Sequence, residues 1–130
     1  MANEAYENVM PVLIGDRKAA LTVAKRLYLN FSIAPHWFGE SGLFGGAPYL
    51  RAHSWKNSFS DRAKLELLSI FVSECTAGYI PVLIPCDDDA LLFCNRNLDE
   101  IESRFVIVDK SRILALTAQG SLLPESLLFG

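Results

Sequence analysis

Three consecutive carboxylates, Asp87, Asp88 and Asp89, stand directly behind the apolar run Ile80 to Pro85, and a second turn, Gly15-Asp16-Arg17, stands behind the apolar run Val9 to Ile14. These are the two stretches whose residue types could do chemistry. A carboxylate triplet can accept hydrogen bonds from a substrate amine, or help hold a metal ion through water. Carboxylates in a first helical turn are equally favoured by capping and by the helix macrodipole, and the spacing does not choose between these roles. The Gly15-Asp16-Arg17 turn offers backbone amides at a helix start, with Arg17 and Lys18 adding positive charge, which suits an anion. It lacks the G-x-G-x-x-G of a dinucleotide fingerprint, and a tight turn followed by an Asp16 N-cap explains the same residues.

Other chemistry-bearing residues form no pattern. His36 and His53 lie beside Trp37 and Trp55 without a spaced partner and read as packed or hydrogen-bonded structural residues. No G-x-S-x-G elbow or Walker loop occurs. Cys86 sits before a helix start, where a thiolate is favoured, but burial beside Pro85 would raise its pKa, so it reads as structural. Cys75, Cys86 and Cys94 are odd in number and lack ligand spacing, which argues against a disulfide framework or a zinc site.

The elements that must position the two turns follow from period and punctuation. Val9–Ile14 reads as a first strand with Pro11 near its start, and Ala20, Ala24, Leu27 and Phe31 recur at helical spacing behind the Asp16 cap. Ser32 to Phe38 is aromatic and apolar, but Pro35 makes it a strand nearer the sheet edge or one broken at that point. Four glycines and a proline fill the ten residues Gly39 to Pro48, an irregular loop. A third, short strand is expected near Ser58 and Phe59. Ser60 or Asp61 then caps a helix carrying Leu65, Leu68, Val72 and Cys75 on one face and ending at Gly78. The almost unbroken apolar run of Ile80, Val82, Leu83 and Ile84 reads as a central strand buried on both faces. Behind it come a helix with Leu91, Cys94, Leu98 and Ile101 on one face, a buried strand over Phe105 to Val108, and a helix over Lys110 to Gln119. Alternation of this kind predicts a doubly wound parallel sheet in a three-layer α/β/α sandwich, and in the strand order 3-2-1-4-5 both turns would face one crevice.

With 130 residues the chain fits one domain able to bury a core unaided. A net charge of -3 and a pI near 5.3 give no support for binding nucleic acid or an anionic membrane surface. No apolar run approaches a membrane span, and the start MANEAYEN lacks the features of a signal peptide, so a cytoplasmic location is expected.

Taken together, VMPVLIGDRKAALTVAKRLY and GYIPVLIPCDDDALLFCNRNLDEIESRFVIVD resemble the N-terminal, Rossmann-like pre-ATP-grasp domain of ATP-grasp carboxylate-amine ligases. The segment DKSRILALTAQGSLLPES is similar to the family's joining helix, with Asp109, Lys110, Arg112, Gly120 and Pro124 in the matching places. The resemblance implies a pre-ATP-grasp domain over residues 1–120 and the start of a linker to a downstream ATP-grasp domain over 121–130. It implies that ATP and magnesium are held by that downstream domain, so this chain alone holds no cofactor and is inactive. It also implies that Gly15, Asp16, Asp87, Asp88 and Asp89 face a small carboxylate or amine substrate. The alternatives are a stand-alone Rossmann-like module that binds or senses a small ligand, and a purely structural interaction domain. Leu122, Leu123, Leu127, Leu128 and Phe129 make the chain end apolar enough to seek a surface, on the downstream domain, on the chain's own body or on a second copy in a homodimer.

Overall fold

A computed structural model describes residues 8–40, 50–75 and 78–108. Strand β1 (Val9–Ile14) leads into helix α1 (Arg17–Phe31), followed by β2 (His36–Gly39) and β3 (Arg51–Ser54). Helix α2 (Asp61–Ser73) returns to β4 (Ile80–Pro85), and α3 (Asp88–Arg96) and α4 (Leu98–Glu102) lead to the two-residue β5 (Val106–Ile107). All pairings are parallel and the order is β3-β2-β1-β4-β5. This is the doubly wound arrangement expected from the alternation of strand and helix signals.

Two-residue periodicity divides the sheet's side chains between two layers of helices. Val12 and Ile14 of β1, Phe38 of β2 and Leu83 of β4 pack with Leu68 of α2, Leu91, Phe93 and Cys94 of α3 and Ile101 of α4. The intervening residues Leu13, Trp37 and Ile84 pack on the other face with Ala20 and Ala24 of α1 and with Leu50. The small Ala20 and Ala24, both fully buried, let α1 lie close to the sheet.

Several boundaries differ from the sequence reading, each for a physical reason. The third strand is Arg51–Ser54, whereas Ser58 and Phe59 lie in a turn closed by the Phe59 amide donating to the Lys56 carbonyl at 3.0 Å. An edge strand with one face in water carries no apolar run, and RAHS is exposed at Arg51, Ala52 and Ser54. The second strand begins only at His36, beyond Pro35, because Ser32 turns left-handed (φ 57°) to stop α1. Helix α2 stops at Ser73, with the Glu74 amide closing its last turn, so Cys75 lies past the helix and Gly78 (φ +96°) belongs to the approach to β4. Asn97 divides the expected long helix after β4 into α3 and α4. Burial along β4 is confined to its later half: Ile80 is 49% exposed and Leu83 fully buried. In the last strand only the preceding Phe105 is buried, while Val106 is 57% exposed, as suits the sheet's margin. The expected helix over Lys110 to Gln119, the apolar chain end, and most of the Gly39 to Pro48 loop lie outside the described residues, as does the proposed linker over 121–130.

Candidate functional site

Strands β1 and β4 are registered over their whole lengths, Ile14 against Pro85, so the turns behind them emerge side by side at the point where the strand order reverses. Open α/β sheets form their crevices outside the carboxyl ends of strands at this point. The Cys86 amide donates to the Ile14 carbonyl at 2.9 Å, carrying the ladder one step past both strands. There the Asp87 carboxylate ties the turns together. Its Oδ2 accepts from the Asp16 amide at 2.6 Å, and its Oδ1 accepts from the Ala90 amide at 2.8 Å as the N-cap of α3.

Glycine at position 15 makes this contact possible. Its φ of +129° is rarely adopted by a residue with a side chain, and a Cβ there would lie 3.0 Å from both Cγ and Oδ2 of Asp87. The Gly15 carbonyl accepts from Trp37 Nε1 at 3.0 Å. Gly39, at the end of β2, is needed for the same packing, since a Cβ on it would lie 2.6 Å from the Trp37 ring and 2.7 Å from the Gly15 oxygen. Asp16 caps α1 with its own Oδ2, which accepts from the Ala19 amide at 3.0 Å.

The resulting crevice has a volume of about 500 Å³, with Ile14, Trp55, Leu92 and Phe93 among its apolar lining. Gly15, Asp16, Arg17, Asp87 and Asp89 all line it; Asp88 is exposed and does not. Sequence reasoning missed four further charged or polar residues of the lining, Glu40, Asn57, Lys64 and Arg96. Glu40 Oε1 accepts from the Asn57 amide at 2.7 Å, and Lys64 donates to the Asn57 carbonyl at 3.2 Å while its ammonium lies 5.5 Å from the Trp55 ring centroid. Arg96 is held by Asp61 through two bonds of 2.8 and 3.0 Å, which lower the Asp61 pKa and raise that of Arg96. These residues are distant in sequence and carry no local motif, so only the fold brings them together.

Cys86 borders the other sheet face, and burial, reinforced by the negative charge of Asp87, pushes its thiol up to about 12, so it stays protonated and unreactive. Among the described residues no cluster of three or more His, Cys, Asp or Glu is arranged to hold a metal ion.

A larger cavity, about 830 Å³, opens at the opposite end of the sheet and is bordered by Val9, Met10, His36, His53 and Phe71. The two histidines, without a spaced partner in the sequence, are partners of each other: His36 Nδ1 lies 2.9 Å from His53 Nε2. The His53 ring stacks on Phe38, with centroids 4.6 Å apart. Burial, with the charges of His53 and Arg51 adding to it, lowers the His36 pKa to about 4, so this ring is neutral near pH 7. The pair fastens edge strand β3 to β2 and lies away from the paired turns. Volume alone favours this cavity, but the convergence of strand ends, helix starts and charged groups favours the smaller crevice as the functional site.

Among the described residues no helix is long and apolar enough to cross a membrane. No protein-family model, curated protein or solved structure matches the chain.

Proposed function

We propose that the chain is the substrate-facing domain of an ATP-dependent carboxylate-amine ligase, in which the crevice between the two turns receives a small amine or carboxylate substrate. The observation that carries this reading is the joining of the β1 and β4 turns by the Asp16 amide and Asp87 carboxylate at 2.6 Å, which builds one crevice at the reversal of strand order. Charged groups of both signs over an aromatic floor suit a small polar substrate. Asp16 and Asp89 supply negative charge for an amine, while Arg17 and Lys64 supply positive charge for a carboxylate. ATP and magnesium belong, in this reading, to a downstream ATP-grasp domain, and the resemblance of the DKSRILALTAQGSLLPES segment to a joining helix supports that arrangement.

The test has two parts. Titrating the isolated chain with small amino acids and amines, while following backbone amide resonances, should give saturable shifts at Gly15, Asp16 and Asp89, weakened by Asp89→Asn. The protein translated from the complete reading frame should release ADP only when a carboxylate and an amine are both supplied. Magnesium-dependent ATP turnover by the isolated chain, abolished by a substitution within it, would overturn the reading. Saturable binding without any ATP-dependent ligation by the complete protein would favour a stand-alone ligand-binding module instead.

A further inference from the structure

We propose that Asp87 is the specificity-determining residue of the crevice: its carboxylate occupies the place on the Gly15-Asp16 turn that a ligand phosphate would take, so the crevice refuses phosphate and admits cationic or zwitterionic ligands. The inference rests on the crevice being the ligand site, and it adds the class of ligand.

Helix starts behind a glycine turn bind phosphate because an amide and the helix dipole point at the anion and the missing Cβ lets it approach. Both features are present here, and both are taken by the chain itself. The Asp16 amide donates to Asp87 Oδ2 at 2.6 Å, and the open face of Gly15 lies against the Asp87 carboxyl group, 3.0 Å from where a Cβ would stand. An incoming phosphate would have to expel a carboxylate that also caps α3 through Ala90 at 2.8 Å, and would meet a like charge if it failed. Among the cations lining the crevice, Arg96 is paired with Asp61, and Lys64 is turned to the Asn57 carbonyl and the Trp55 face. Asp16, Glu40 and Asp89 add further negative charge around the opening. An ammonium group gains from this arrangement, whereas a phosphate loses.

Asp87→Ser is the informative variant. A serine can still cap α3, but its side chain is too short to reach across to Asp16 and it carries no charge. Inorganic phosphate is titrated against wild type and variant at matched ionic strength, and the Asp16 and Arg17 amide resonances are read. The expected result is no saturable shift in wild type and saturable binding in the variant, at least about tenfold tighter than any wild-type binding, because a like charge has been removed from contact range. Equal phosphate binding by the two proteins, or none by the variant, overturns the proposal. If Asp87→Ser does not fold, Asp87→Asn replaces it; this variant keeps an acceptor oxygen and should gain phosphate affinity by a smaller factor, and no gain overturns the proposal. Wild-type hydrogen exchange is a check independent of any variant: the Asp16 amide should exchange slowly, and free exchange there would refute its bond to Asp87. A wild-type chain that binds no amine or amino acid, while the variant gains phosphate, would refute the ligand site and leave the blocking role of Asp87 standing.

Discussion

A methyl group on Gly15 would meet the Asp87 carboxyl at 3.0 Å, on a backbone whose φ of +129° already disfavours any side chain. Gly15→Ala should therefore cost about 1 to 3 kcal/mol of stability from backbone strain, before any displacement of Asp87 is counted. Urea unfolding would measure this, and a loss within experimental error would show that the turn relaxes freely. The three aspartates separate in the same experiment. Asp87 makes both the α3 cap and the bond to Asp16, so Asp87→Ala should lose roughly 2 to 4 kcal/mol, a cap plus a charge-assisted bond. Asp89 is exposed on the crevice wall, and Asp89→Asn should change stability by less than about 0.5 kcal/mol while weakening ligand binding. An Asp89→Asn variant that unfolds early but binds normally would reduce this residue to helix-dipole support. In the sequence the triplet reads as three equivalent carboxylates; it does not show that Asp87 alone crosses to the other turn, because that depends on the β1-β4 register.

At the scale of elements, two polar fastenings between distant segments give stability a pH dependence whose direction can be worked out. His53 on β3 and His36 on β2 are joined at 2.9 Å, and the His36 pKa falls from 6.5 to about 4 in the folded chain, mainly through burial. The unfolded chain then binds more protons than the folded one between these values. This contribution is complete above pH 6.5 and is lost as pH falls toward 4, and His53, also lowered by burial, acts in the same direction. Because the rings are only partly buried, the loss should be about 1 to 2 kcal/mol rather than the full value of the shift. Asp61 joins the start of α2 to the end of α3 through Arg96 and through Asn97 Nδ2 at 2.8 Å. The bond from Arg96 lowers its pKa first of all, so its contribution is present above the ordinary carboxylate range and lost at more acid pH than that of the histidines. Melting temperature against pH should thus fall in two stages, and His53→Gln should flatten the upper one. A wild-type profile level from pH 7 to 4.5 would contradict the burial that lowers the His36 pKa. Asn97 also donates to the Phe93 carbonyl at 2.9 Å and ends α3 there, a break that the periodic Leu91, Cys94, Leu98 and Ile101 pattern conceals.

For the molecule as a whole, the all-parallel order was legible because β1 and the later half of β4 carry apolar side chains toward both helix layers, and helices with one apolar face separate the strands. The margins were not legible. RAHS lies half in water and the end of FVIV is exposed, so hydrophobic pattern placed one strand too late and made the other too buried. The two turns could be read as a pair, but the share of Glu40, Asn57, Lys64 and Arg96 in the lining could not, since no local motif links these four residues. The same contrast between centre and margin predicts how the chain opens. β1 and β4 share six registered pairs and β4 and β5 only two, while β3 presents exposed side chains at three of its four positions. Trp37, fully buried and bonded to Gly15, fastens β2 to the turn at the centre. Amide exchange should therefore be slowest at Val12, Leu13, Ile14, Leu83 and Ile84, reaching the free energy of global unfolding, and faster by orders of magnitude in β3 and β5, which open without the rest. If β3 amides exchange as slowly as those of β1, the strand is held by more than its pairing with β2 and the histidine bond, and the order of opening derived from register and burial is wrong.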